Sequence, residues 1–249
     1  MIDFEENIKF VGDKRVVLLQ SGGLDSCYLA CLLSKEGFQI HHLFIDYGQN
    51  AKKAELNKCK EIVDTYGGTL HTVTLDLPWL KENTVLCGQE VGSCENTEDV
   101  PDGEMGTVFF KTYVPMRNHM LLSIASSLAE TLNIKYIASA LDGDQTYYGI
   151  PICSSPDKHP SFVMAIENSL TEGSSSYHSR KVPFEIIAPL LGNSKESTIK
   201  NGLDIGCDFS HSTSCYNVNE NGKPCGKCCA CLDRAEHFKN LGLEDPALK

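Results

Sequence analysis

The residues that could do chemistry fall into three groups. The stretch Ser21-Gly22-Gly23-Leu24-Asp25-Ser26 puts two glycines, an aspartate and two serine hydroxyls into six positions. Glycine lets a backbone approach a ligand without a Cβ in the way. Where a helix begins, free amides and a positive dipole end favour an anion. The stretch therefore reads as a phosphate cradle, with an ordinary tight turn or a helix N-cap by Ser21 or Asp25 as the plainer readings. It spells neither G-x-x-x-x-G-K-[ST] nor G-x-G-x-x-G, so the lysine of a P-loop is missing. The second group is Cys215, Cys225, Cys228 and Cys231: two overlapping C-x-x-C knuckles plus a distal thiolate, the arrangement of a tetrahedral structural zinc site. Gly226 lets the first knuckle turn, and Cys229 is expected to face away from the metal. The rival readings are an iron–sulfur cluster, redox thiols and simple buried cysteines. The third group is dispersed: Asp46, Arg117 with Asn118, and Lys195, each at the edge of an expected element.

Residues 16–19 form a short continuous apolar run, which reads as a buried strand. From Ser26, apolar Tyr28, Leu29, Leu32 and Leu33 recur at helical spacing. The cradle thus lies where a parallel strand hands over to a helix. Further strands are expected at 40–45, 69–75 and 136–140, and helices at 52–66 and 117–132. Such alternation implies a parallel sheet covered on both faces, with ligands at the carboxyl ends of its strands. Asp25 and Asp46 both fall at such ends. Two segments interrupt the pattern. Residues 76–112 are acidic and punctuated by glycine and proline, reading as a mobile cover, a partner surface or a solvated loop. Residues 143–160, rich in Tyr, Pro, Ser and Gly, follow a strand end where substrate loops sit, with a solvated loop again the plain alternative. Ser194 is an expected N-cap for a short helix to about Leu203, and a closing helix is expected from about Leu232.

The 249 residues suffice for one substantial α/β domain with an appendage. Lys and Arg number 22 against 33 Asp and Glu, a net charge of −11 that argues against a broad nucleic-acid footprint. No stretch is apolar enough to span a bilayer, and MIDFEENIKF is too acidic and polar for a signal peptide. A cytoplasmic protein is expected. Five of the twelve cysteines lie between 215 and 231, so metal accounts for them better than a disulfide scaffold. The other seven read as buried small apolar residues.

In its context the string S-G-G-L-D-S resembles the PP-loop of ATP pyrophosphatases. With it, in order, stand DYGQ (Asp46 to Gln49), VPMRN (Val114 to Asn118), SKES (Ser194 to Ser197), SCY…PCGKCCAC and the closing FKNLGLEDP. Together, from about Arg15 to Pro246, they resemble the 7-cyano-7-deazaguanine synthase (QueC) family. The resemblance implies an α/β fold, a Rossmann-like parallel sheet with helices on both faces, plus a small C-terminal zinc-binding helical unit. The implied division is 1–205 for ATP and 206–249 for zinc. The implied chemistry is ATP-dependent adenylation of the carboxylate of 7-carboxy-7-deazaguanine, displacement of AMP by ammonia, then adenylation of the amide oxygen and loss of AMP to give the nitrile. Gln20, Ser21, Gly22, Gly23, Leu24, Asp25 and Ser26 would hold the pyrophosphate, with Asp25 also near Mg²⁺. Asp46 would meet the nucleotide or the base, Arg117 and Asn118 a phosphate or the acyl group, and Lys195 the α-phosphate. Catalytic work would fall to Asp25, Ser26, Arg117 and Lys195. A homodimer is expected, with no membrane and no nucleic acid as partner.

The acceptor side departs from the family pattern. Where the family has a stretch like P-D-C-R-P-E-F, this chain has Pro156-Asp157-Lys158-His159-Pro160-Ser161-Phe162, giving Lys for Cys, His for Arg and Ser for Glu. Asp157, His159 and Phe162 are the expected substrate residues: the carboxylate for the guanine-like edge, the aromatic for the ring face. Histidine is mostly neutral near pH 7 and weakens any fixed charge for a free carboxylate, which opens the site to an uncharged amide or nitrile. The drift also keeps a rival open, a QueC-like protein of antiphage operons (type IV CBASS-like) that joins the deazaguanine acyl group to a protein amine. A different class, a binding module using nucleotide and zinc without turnover, is disfavoured by the intact S-G-G-L-D-S and Lys195. tRNA thiolation and amidotransfer are less favoured, given the acidic balance and the lack of a glutaminase domain.

Overall fold

In a computed structural model, residues 14–88, 100–101, 108–109, 112–142, 156–218 and 223–248 are described. Parts of 76–112 and most of 143–160 lie outside them. The elements run β1 (Arg15–Leu19), α1 (Leu24–Lys35), β2 (Gln39–Asp46), α2 (Lys52–Tyr66), β3 (Thr69–Thr74), α3 (Leu80–Asn83), β4 (Val100–Pro101), β5 (Val108–Phe109), α4 (Arg117–Leu132), β6 (Tyr136–Ala138), α5 (Pro160–Glu172), α6 (Ser175–Arg180), β7 (Glu185–Ile187), α7 (Lys195–Asp204) and α8 (Cys229–Asn240). Five strands form one sheet in the order β3-β2-β1-β6-β7, while β4 and β5 make a short antiparallel pair. Every pairing in the main sheet is parallel.

Parallel strands covered on both faces read as continuous apolar runs, and β1 shows why. Val16, Val17 and Leu18 are all fully buried. Side chains alternate across a strand, so Val16 and Leu18 pack with α1, α7 and Phe238 of α8. Val17 faces the other way, onto Leu122, Ala125 and Ala129 of α4 and Ile166 of α5. The same side as Val16 receives Cys207 and Phe209, so the chain beyond α7 shares the main core. Arg234 of α8 is buried in a bidentate pair with Asp245 at 2.8 and 3.0 Å, and also donates to Ser212 Oγ and the Phe209 carbonyl. A buried charge of this kind needs that full set of partners.

The expected helices at 52–66 and 117–132 stand where they were read. The strand read at 136–140 ends at Ala138, and the closing helix begins at Cys229 rather than near Leu232, one residue after a cysteine of the cluster. Ser194 does cap α7, its hydroxyl accepting from the Ser197 amide at 3.1 Å. Six elements had no counterpart in the sequence reading: α3, β4 and β5 within 76–112, and α5, α6 and β7.

Gly202 shows how tightly α7 meets α1 and the following turn. A Cβ there would lie 2.4 Å from Phe209 Cζ and 3.2 Å from Tyr28 Cδ2. Alanine would gain about 1 kcal/mol of helix propensity but overpack a closed site at a cost of about 1–3 kcal/mol. Gly202→Ala is therefore expected to lower Tm despite adding a better helix former. A thermal melt with unchanged or raised Tm would show that Phe209 moves aside freely.

Candidate active site

The cradle is built as a braced turn. Gly23 occupies the N-cap of α1 with extended backbone, and no side chain caps the helix, so neither Ser21 nor Asp25 plays that part. Ser21 Oγ instead accepts from the Gly23 amide at 3.2 Å and lies 3.1 Å from Ser26 Oγ, which donates to the Gly23 carbonyl at 3.0 Å. The two hydroxyls stiffen the loop from within, leaving the start of α1 free to meet an anion. Gly22 has φ +71°, and a Cβ on it would stand 2.5 Å from the Glu55 carbonyl oxygen. That glycine seats the loop against α2. Gln20 is buried at the end of β1, and both polar atoms of its amide lack a hydrogen bond among the described residues. Buried polar groups rarely stay unpaired. Leu24 packs into the core.

Asp25 opens a chain of four charges. Its Oδ2 lies 2.6 Å from Lys195 Nζ, which lies 2.7 Å from Asp142 Oδ2; Asp142 Oδ1 is in turn 2.7 Å from Lys158 Nζ. Burial works against the charge on Lys195, but Asp25 and Asp142 hold its pKa above the ordinary value. Burial likewise opposes ionisation of Asp142, yet Lys158 and Lys195 hold its carboxyl below the usual range. Burial pushes the Asp25 carboxyl up, with Lys195 pulling against it. The other oxygen, Asp25 Oδ1, is buried with no hydrogen-bond partner among the described residues. An unpartnered carboxylate oxygen at this position suits a hard cation such as Mg²⁺.

A second cation stands at the start of α4. Arg117 follows Met116, whose backbone is left-handed at φ 55°. Burial disfavours the guanidinium charge, and Tyr47, Tyr216 and Asp157 around it keep the pKa raised. DYGQ, VPMRN, SCY and the 156–162 stretch thus converge on one side chain. Asn118 sits beside it on the first turn of α4, half-buried. Asp46, the last residue of β2, accepts from the Gly48 amide at 2.9 Å and pairs with Lys52 at 3.1 Å. With Tyr47, Thr74, Asp76, Lys81 and Cys87 it lines a pocket of about 280 Å³ at the carboxyl ends of β2 and β3. His159 is exposed and caps α5, its Nδ1 accepting from the Ser161 amide at 3.2 Å. Phe162 packs against the α4 side of the core, 6.3 Å from the His119 ring.

Glu55 reaches the back of the same region, accepting from Gln49 Nε2 at 2.9 Å. Burial raises its carboxyl to about 7 from an ordinary 4.5. Between those values the folded chain binds more protons than the unfolded one, so stability falls as pH rises through that window. Glu55→Gln keeps the acceptor and abolishes the ionisation. Its Tm is expected to exceed that of the wild type at pH 8 and to match it at pH 5. An equal gain at both pH values would locate the effect elsewhere.

Cys215, Cys225, Cys228 and Cys231 bring their four sulfurs within 4.8 Å of one another. A tetrahedron of sulfurs roughly 2.3 Å from its centre has edges of about 3.8 Å, so the group fits a single ion. The amides of Asn217 and Cys225 donate to Cys215 Sγ at 3.3 and 3.1 Å, and that of Cys228 to Cys225 Sγ at 3.4 Å. Such donors stabilise thiolates. The cluster packs on Leu80, Leu86, Cys87 and Val114, and the Thr213 amide donates to the Gly22 carbonyl at 2.9 Å, tying this unit to the cradle. Cys229 stands outside the group, as expected, and is disulfide-bonded and half-buried. Cys27, Cys31, Cys59, Cys87 and Cys207 are free and buried, whereas Cys94 and Cys153 lie outside the described residues.

Residues 15–242 match the family described as "Queuosine biosynthesis protein QueC". The chain belongs to the QueC family. Relatives of similar length carry the name 7-cyano-7-deazaguanine synthase. That of Pseudomonas putida (strain F1) is 34% identical over 94% of this chain and 97% of its own length. That of Coxiella burnetii (strain RSA 331) is 36% identical over 94% and 96%. Among solved structures, a 4-thiouridine synthetase–RNA complex with bound ATP aligns at a TM-score of 0.47 and 16% identity, covering 94% of this chain and 51% of that one. No helix among the described residues is long and apolar enough to cross a membrane. This QueC-family chain brings together Asp25 with Lys195, Arg117 with Asp157, and the four cysteines. Asp142, Glu55, Tyr47 and Tyr216 were missed as members of the site. For Asp142 the signal was there: an acid just past the carboxyl end of a parallel strand.

Proposed function

We propose that this chain is an ATP-dependent carbon–nitrogen ligase that adenylates first the C7 carboxylate of a 7-deazaguanine and then the oxygen of the amide that ammonia forms from it, releasing pyrophosphate and AMP in each round and giving 7-cyano-7-deazaguanine. The observation that carries the reading is the Lys195 ammonium, held at 2.6 and 2.7 Å between Asp25 at the cradle and Asp142 beyond β6. A carboxylate is a poor electrophile until its oxygen becomes a good leaving group, and a fixed cation lowers the cost of the charge that develops at the phosphate. Ser21 to Ser26 offer amides to the pyrophosphate end of ATP. Mg²⁺, when bound, would neutralise phosphate charge, and Asp25 Oδ1 is the oxygen available to hold it. Arg117 orients the acyl group, and Asp157 accepts from the guanine-like N1–H and 2-amino group. The pocket beside Asp46 takes the nucleoside. Zinc in the four-cysteine group is structural, since four thiolates leave no open position.

The test is direct. Incubate the protein with Mg·ATP, 7-carboxy-7-deazaguanine and ammonia, and follow the base by mass with AMP and pyrophosphate in parallel. Nitrile from ammonia alone supports the synthase reading. Base recovered on a protein amine favours the conjugating alternative. Absence of turnover with every 7-deazaguanine, and of ATP–pyrophosphate exchange, would leave a binding module.

A further inference from the structure

We infer that Lys158 determines the charge class of the substrate: its ammonium binds the C7 carboxylate of an anionic 7-deazaguanine and favours the acid over the neutral amide. The inference rests on the deazaguanine reading above. It reverses the expectation that His159 opens the site to an uncharged input. His159 Nδ1 accepts from the Ser161 amide and lies 2.7 Å from Ser161 Oγ. That nitrogen is committed to the start of α5, so His159 serves as a helix cap. The fixed positive charge sits one residue earlier.

Lys158 Nζ lies 2.7 Å from Asp142 Oδ1, its only hydrogen-bond partner among the described residues. An ammonium has three donors, so two remain for a ligand. The Lys158 side chain is 29% exposed, which leaves it reachable from solvent while Asp142 fixes its direction. The other oxygen of Asp142 holds Lys195, and Lys195 reaches Asp25. Lys158 is therefore anchored one carboxylate away from the lysine of the cradle, where the reacting carboxylate must sit to be adenylated. Its neighbour in the same 3-10 turn, Asp157, adds instead to the negative field around the Arg117 guanidinium. A hydrogen bond between ions is about twice as strong as one between neutral groups, so an ammonium here separates acid from amide.

The experiment compares steady-state AMP release by wild type, Lys158→Gln and Lys158→Arg, each with 7-carboxy-7-deazaguanine and with its neutral carboxamide. Lys158→Gln is expected to raise KM for the acid about tenfold, with KM for the amide within about twofold of wild type. Lys158→Arg is expected to restore most of the preference. Lys158→Met, which keeps the stem, supplies the same comparison if thermal melts show the glutamine variant misfolded. Equal changes in KM for both bases, or none, would overturn the role of Lys158 while leaving the ligase reading intact. A wild type that turns over neither base would overturn both.

Discussion

Lys195→Met is expected to slow AMP release by about a hundred- to a thousandfold, the usual loss when one preorganised charge facing a transition state is removed. The stem survives, so packing changes little. What is lost is the ammonium between Asp25 and Asp142. Arginine is not an equivalent replacement, because a planar fork does not occupy the place of a point charge held by two carboxylates. The variant also carries a pH signature. Burial already raises the Asp25 carboxyl, and Lys195 opposes that rise. Without the lysine, Asp25 is protonated over a wider range, and the ionised form becomes costlier. The stability of the variant should therefore fall, relative to wild type, as pH rises. Full AMP release by Lys195→Met would remove the residue from the chemistry. A Tm difference independent of pH would remove the charge argument.

Cys228→Ser is expected to lower Tm by about 10 °C or more and to release the metal. Structural zinc binding is folding free energy, and for a chain of this size each kcal/mol moves Tm by roughly 2–4 °C. Cys228 is fully buried, so a serine there opens the sulfur tetrahedron and puts a hydroxyl in place of a buried thiolate. The damage should reach the nucleotide site through the Thr213–Gly22 hydrogen bond, raising KM for ATP below the melting range. Metal analysis of freshly purified wild type should find one zinc per chain. Iron, no metal, or an unchanged melt in the variant would refute the assignment.

The fold was legible where apolar periodicity ran long and had clear stops. Arg117–Leu132 ends at Asn133 in the left-handed conformation, and Lys52–Tyr66 ends at Gly67 with φ 80°; both are signals a sequence displays. β7 was illegible because three residues are too few to show a period, and parallel pairing with β6 alone identifies it. α5 was hidden because the Pro160 that closes the loop-like stretch is also its first residue, a position proline favours. At the site, the cradle and the cysteine cluster were readable because each is local. The ring of groups around Arg117 was not, since Tyr47 and Tyr216 reach it from distant parts of the chain. His159 was read as a mostly neutral substrate residue in the place of an arginine, whereas its setting gives it the work of a cap.

The Asp25–Lys195 pair spans 170 residues, and this separation has a consequence for synthesis. At roughly 5–20 residues per second on the ribosome, Lys195 follows Asp25 by about 10 to 35 seconds. β1 has its neighbour β2 early, but its other neighbour β6 emerges more than a hundred residues later. The loop that would hold a phosphate is thus made long before the cation that would act on it. A nascent chain holds an unfinished site and stays inert toward its substrates until the last quarter of its length has left the tunnel and docked.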